Sequence, residues 1–158
     1  MRKRSKYKPR PIRVDTLNFV KSGLIPVAQV PDAGMTLQIR NYSALDEIVR
    51  GNPTKDHADD LIGTVNMAEV LARLFGHGID WLPEIMDAQD AVFNMASRGV
   101  NGKSFRFTGE ELEAVRIALE VHTEQLKVTT VKQMEEALET VAECFKHRRA
   151  RPIKVLAS

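Results

Sequence analysis

The chain has 158 residues, which is long enough for one domain with a substantial hydrophobic core. Apolar residues make up 43% of it and aromatic residues only 6%, so aliphatic side chains and methionine must fill that core, which favours packed helices over a β-sandwich. The single cysteine, Cys144, excludes an internal disulfide, and no apolar run approaches the roughly 20 residues of a membrane span. We therefore expect an all-α protein of the cytoplasm that makes no use of a membrane.

Charge is distributed unevenly along the chain. Residues 1–13 contain seven basic and no acidic residues, and residues 146–158 contain five basic and no acidic residues. Residues 14–145 contain eleven basic and twenty-one acidic residues, a net charge of −10. This segregation predicts a helical domain at 14–145 between a basic arm at 1–13 and a basic C-terminal tail at 146–158.

The N-terminal third changes character at Met35. Two prolines flank Arg10, and because proline fixes φ and disfavours helix at the preceding residue, the arm is predicted to be extended. Residues 15–21 are compatible with a short helix, whereas residues 22–34 are punctuated by glycine and proline and predict irregular or extended chain. From Met35, apolar residues recur at helical spacing until the stop signal Gly51-Asn52-Pro53.

The next two helices have clear start and stop signals. Thr54 can cap a helix with aspartates in its first turn, and Gly76-His77-Gly78 ends it. Asp80 can cap a third helix, which has Pro83 in its first turn and ends at Gly99. Residues 101–107 then form a loop or half of a small hairpin.

Two capping boxes open the last two helices. The first pairs Thr108 with Glu111, and the second pairs Thr130 with Gln133. The helix after Thr108 carries a near-heptad apolar stripe that suits either a core or a dimer interface. The last helix is predicted to place four apolar residues on one face: Met134, Leu138, Val141 and Phe145. The whole pattern predicts an antiparallel helical bundle of about five helices with short loops.

Asp56, His57 and Asp60, with His77 a helix length away, form the one cluster with metal-ligand chemistry. His57 and Asp60 lie at i and i+3 and therefore share a helix face. The helix dipole by itself accounts for acids in a first turn, and no converging third ligand is identifiable. We predict no metal site and no cofactor.

Catalytic chemistry is not indicated elsewhere. His122 lies on the apolar stripe of its helix, which favours a hydrogen-bonded core or interface histidine, and Cys144 has no recognisable catalytic context. The chain contains no GxGxxG, GxxxxGK[ST], HExxH or GxSxG motif. A binding protein is therefore favoured over an enzyme, and we predict no catalytic residue.

The basic ends are the predicted contact surfaces. Arginine and lysine can neutralise phosphates in a salt-sensitive manner, and Tyr7 can stack on a base. The acidic domain is an equally good partner for the same side chains, so the choice between nucleic acid and protein stays open. The predicted contact residues are Arg2, Lys3, Arg4, Lys6, Tyr7, Lys8, Arg10, Arg13, Lys146, Arg148, Arg149, Arg151 and Lys154.

Several strings together resemble small accessory proteins carried by tailed bacteriophages. They are Lys3-Arg4-Ser5-Lys6-Tyr7-Lys8-Pro9-Arg10-Pro11, Asn66-Met67-Ala68-Glu69, Arg73-Leu74, Val128-Thr129-Thr130-Val131, Met134-Glu135 and Arg151-Pro152-Ile153. The resemblance implies a phage or prophage origin and action in the cytoplasm of the host cell. It supplies no activity and no catalytic residue.

We expect a non-enzymatic phage accessory protein that binds a host or phage protein, or a protein–nucleic-acid assembly, in an anti-defence or host-takeover role. One alternative is a nucleic-acid-binding module of phage replication, transcription or packaging, which requires affinity that falls steeply with salt. Another is a virion-associated structural protein whose arms reach between subunits. A homodimer through the near-heptad stripe also remains open.

Overall fold

The computed structural model describes residues 23–147. The predicted arm at 1–13, the predicted short helix at 15–21 and the tail after His147 lie outside these residues. Within them the protein is all-α, and the predicted five-helix architecture is confirmed. The helices are α1 (Ala33–Arg50), α2 (Lys55–Phe75), α3 (Leu82–Val100), α4 (Gly109–Val128) and α5 (Val131–Lys146).

Three helix starts follow the capping chemistry of the sequence. The hydroxyls of Thr54, Thr108 and Thr130 each accept a hydrogen bond from the backbone amide three residues on. In α4 the carboxylate of Glu111 accepts from the amide of Thr108 at 2.8 Å, which completes the predicted box. Such caps satisfy amides that a helix end leaves without a partner.

Helix α2 is the centre of the bundle, since it packs against each of the other four helices. It can do so because it is apolar on more than one side. One side, with Leu61 and Val65, joins the main core against α1, α3 and α4. A second side, with Met67 and Leu71, packs on α5, and a third, with Ala68 and its neighbours, packs on α3.

Residues 25–29, which we call the strap, cross the junction of α4 and α5. The amide of Val27 donates to the carbonyl of Thr129 at 2.8 Å, and the amide of Val131 donates to the carbonyl of Ile25 at 2.9 Å. Val27 is buried and is the first residue of the strap's 3-10 turn, Val27–Gln29. These contacts hold the strap directly beside the C-terminal end of α4.

Two predictions about helix starts are wrong. Asp80 does not cap the third helix: it lies in a 3-10 turn, Ile79–Trp81, and the residue at the cap position is Trp81. Gly34 belongs to the first turn of α1, where a Cβ would lie 2.8 Å from the Cα of Ala28 in the strap. Both errors arise because the 3-10 turns before α1 and α3 replace the expected loop and cap.

The face of α5 is also rotated relative to its prediction. Met134 and Val141 pack against α2, but the residue buried between them is Ala137. Leu138 and Phe145 are exposed among the described residues. The buried contact of α5 with α2 is therefore centred on Ala137, and Leu138 and Phe145 lie outside it.

Candidate functional site

Most of the predicted contact residues lie outside the described part of the chain. The eight in residues 1–13 and the four after His147 cannot be placed. The thirteenth, Lys146, is the last residue of α5; its side chain is exposed and its ammonium lies 3.4 Å from the Glu143 carboxylate. The predicted basic tail therefore begins inside a helix.

The side chains of the candidate metal cluster are divided among separate partners. The Nδ1 atom of His57 accepts from the Thr54 amide at 3.3 Å and completes the cap of α2. Asp60 faces Arg40 of α1 at 3.7 Å, and His77 bonds a glutamine side chain of α5. Across residues 23–147, no group of three or more His, Cys, Asp or Glu side chains is placed to hold a metal ion.

His122 is a core histidine, as predicted. It is 4% exposed, and its Nδ1 lies 3.1 Å from the side-chain oxygen of Gln125. Burial lowers the pKa of His122, because the charged ring would lose its hydration, and the contact with Gln125 opposes this only in part. The near-heptad stripe that contains His122 faces the core of the monomer. Cys144 lies half-buried on α5.

Helix α4 carries a second set of apolar residues that the core does not use fully. Ile117, Val121 and Val128 border a groove of about 630 Å³, together with Tyr42 of α1 and Trp81 at the start of α3. Trp81 is 51% exposed, Tyr42 41% and Val128 56%. The groove is thus lined by apolar side chains of α4 and by two partly exposed aromatic side chains from other elements.

The turn between α2 and α3 positions Trp81. Gly76 and Gly78 both have φ near +70°, the left-handed region that glycine enters without strain. A Cβ on Gly78 would also make a tight contact of 3.2 Å with a methyl group of Val121, which shows that the turn passes close to α4. The buried amide of Gln125 then donates to the carbonyl of His77 at 2.8 Å and ties the turn to α4.

A second groove, of about 310 Å³, follows α4 towards its N-terminus. Ile117 and Ala114 are its apolar residues, and Ile117 is shared with the first groove. Carboxylates from α3 and α4 form the remaining walls: Glu84, Asp87, Glu110 and Glu113. Both depressions lie along the same face of α4, with Ile117 between them.

We call these two neighbouring depressions together the acidic groove. It follows α4 from Glu110 to Val128, a distance of about 27 Å at 1.5 Å per residue. Besides the four carboxylates of the second depression, Glu120 and Glu124 lie along the first. Among the described residues that line it, none is lysine or arginine, although Lys127 pairs with the lining residue Glu124 at 2.5 Å. The surface therefore combines apolar side chains with carboxylates.

An ion pair fixes the N-terminal end of the groove. The guanidinium of Arg98 on α3 donates to both carboxylate oxygens of Glu111, at 2.9 and 2.5 Å, and to the carbonyl of Arg106 at 2.7 Å. The hydrogen bond from Arg98 lowers the pKa of Glu111 and keeps it charged. Since Glu111 also completes the α4 cap, the pair holds the first turn of α4, which includes Glu110, against α3.

Sequence analysis did not identify the acidic groove. The signal that could have found it is that α4 has more apolar positions than one packing stripe needs: Ile117, Val121 and Val128 lie off the stripe of Val115 and Leu119. The contributions of Tyr42 and Trp81 depend on how α1 and the α2–α3 turn pack, which residue spacing does not give.

No helix among residues 23–147 combines the length and apolar character needed to cross a bilayer. Comparison of the chain with protein-family models, with curated proteins and with solved structures finds no match.

Proposed function

We propose that this protein is a non-enzymatic binding module whose acidic groove takes up a basic, partly apolar segment of a partner protein. The observation that carries the proposal is the exposure of Trp81 and Tyr42, which line the groove together with apolar side chains of α4. Aromatic side chains of this kind supply a disproportionate share of binding energy at protein interfaces. The carboxylates along the groove select a partner segment rich in lysine and arginine and accelerate its association.

The charge of the described residues favours a protein over a nucleic acid as the partner of the helical body. Residues 23–147 contain eleven basic and twenty acidic residues, and the groove walls carry six carboxylates. A phosphate backbone is repelled by such a surface. Given the phage resemblance of the sequence, we propose a host or phage protein as the partner and an anti-defence or host-takeover role as the setting.

The experiment is affinity capture from host-cell lysate with nuclease treatment, using the full-length protein and two double variants. The groove variant is Trp81→Ser with Ile117→Ser. The control variant is Leu138→Ser with Phe145→Ser, which removes two exposed apolar side chains of α5 from a different surface. We expect one protein to be retained by the wild type and the control, and its affinity for the groove variant to fall at least tenfold, about 1.4 kcal/mol.

Two results contradict the proposal. Equal loss of the captured protein with both variants assigns the binding to general surface apolarity. Capture that disappears with nuclease, and that the groove variant retains undiminished, instead supports the nucleic-acid-binding alternative.

A further inference from the structure

We propose that the acidic groove also binds the chain's own basic N-terminal segment, residues 2–13, which thereby competes with any partner for the same surface. The inference rests on the groove of the proposed function but not on the existence of a partner. It assigns a built-in occupant to a surface that the described residues leave uncovered.

The point of attachment supports this occupant. The strap pairs with residues 129–131 through the Val27–Thr129 and Val131–Ile25 hydrogen bonds. Val128, the next residue back along the chain, lines the groove and is exposed. The strap, which follows the N-terminal segment along the chain, therefore lies beside one end of the groove.

The lengths are compatible. The nine residues 14–22 can span at most about 30 Å, and the twelve residues 2–13 at most about 40 Å. The groove follows α4 for about 27 Å. Residues 2–13 can therefore lie along its whole length.

The charges and apolar groups are complementary as well. Residues 2–13 carry seven basic residues and no acid, against six groove carboxylates, of which Glu124 already pairs with Lys127 at 2.5 Å. Tyr7 and Ile12 provide apolar side chains for the groove floor. Individual exposed ion pairs contribute little, but several acting together with apolar contact give an association that salt weakens.

The basic C-terminal residues are a poorer occupant and a natural control. They follow α5, whose 16 residues lead about 24 Å away from its start at Val131 beside the groove. They carry four basic residues after His147, namely Arg148, Arg149, Arg151 and Lys154, against the seven of the N-terminal segment.

The first test uses Trp81, the single tryptophan of the chain, as a reporter inside the groove. Acrylamide quenching is measured for the full-length wild type, for a variant with the seven basic residues of 2–13 changed to Gln, and for one with the four after His147 changed to Gln. We expect the quenching constant to rise about twofold in the first variant and to stay at the wild-type value in the second. A synthetic peptide of residues 2–13 should restore the lower value. Unchanged quenching in the first variant, or an equal rise in both, overturns the proposal.

The second test is zero-length carbodiimide cross-linking of a mixture of ¹⁴N- and ¹⁵N-labelled wild-type protein, read by mass spectrometry. We expect links within one chain from Lys3, Lys6 and Lys8 to the groove glutamates, and their loss in 0.5 M salt. Links that favour Glu135, Glu136 and Glu139 of α5, or that form only between chains, overturn the proposal. Neither test contains a partner, so a failure of the proposed function leaves their outcome unaffected, and the reverse also holds.

Discussion

Helix α4 has two apolar surfaces with different roles, and the contrast between them organises the molecule. Its inner face, with Val115, Leu119 and Leu126, is buried against α2 and α3 and is essentially inaccessible to solvent. Its outer face, with Ile117 and Val128, borders the acidic groove and keeps glutamates between its apolar residues. The inner face accounts for folding, whereas the outer face carries apolar surface that folding leaves partly exposed, as a binding surface requires.

The largest expected effect separates the two faces by stability. Leu119→Ala removes a fully buried side chain and should lower the free energy of unfolding by about 2–5 kcal/mol, through lost burial and the cavity left behind. Ile117 lies two residues before Leu119, on the groove side of α4. Ile117→Ala should cost less than about 1.5 kcal/mol because the side chain is only half-buried. Urea denaturation of both variants gives the comparison. Equal losses would show that α4 has no free face.

A second effect belongs to the buried face alone and depends on pH. Since burial lowers the pKa of His122 in the folded protein, the unfolded chain binds the proton first as pH falls below about 6.5. Stability should therefore be complete above that pH. It should decline below it by about 1.4 kcal/mol per pH unit, until the folded protein also binds the proton.

The measurement for His122 is the free energy of unfolding from pH 7.5 to pH 5. His122→Gln should flatten the decline, although it also lowers stability at every pH by disturbing the contact with Gln125. Leu138→Gln, an exposed change on α5 that removes no titratable group, serves as the control and should leave the slope unchanged. A slope that persists in His122→Gln would assign the pH dependence to other groups.

A third, smaller effect concerns the ion pair that holds α4 to α3. Arg98→Gln should cost about 1 kcal/mol at neutral pH, because the pair is partly exposed and Gln retains some hydrogen bonding to the Arg106 carbonyl. The pKa of Glu111 is lowered in the folded state, so this stabilisation is present above the ordinary glutamate pKa and is lost as pH falls through the lowered value. The wild type and Arg98→Gln should therefore converge in stability at strongly acidic pH. A constant difference at all pH values would contradict the ion pair's contribution.

The sequence was sufficient to predict the inner face of α4 but not its outer one. The capping boxes at Thr108 and Thr130 and the buried position of His122 followed from local chemistry and helical spacing, and the structure confirms them. The acidic groove required the position of Trp81, which depends on two left-handed glycines and on a 3-10 turn where Asp80 was expected to cap a helix. Spacing along one helix predicts which residues share a face. It does not predict whether a neighbouring element covers that face.

The smallest expected change in stability tests the outer face directly. Glu113→Gln with Val128→Ser alters a carboxylate and an exposed apolar side chain of the groove, so the free energy of unfolding should change by no more than about 0.5 kcal/mol. The same variant should weaken binding of the synthetic 2–13 peptide to the protein whose own segment has been neutralised, by at least threefold in a Trp81 fluorescence titration. A loss of stability above 2 kcal/mol would mean that these side chains serve the fold after all. A nearly unchanged free energy of unfolding with weakened peptide binding would instead show that the two faces of α4 are energetically separable. A residue that contributes to binding without contributing to folding has its main contacts outside the bundle.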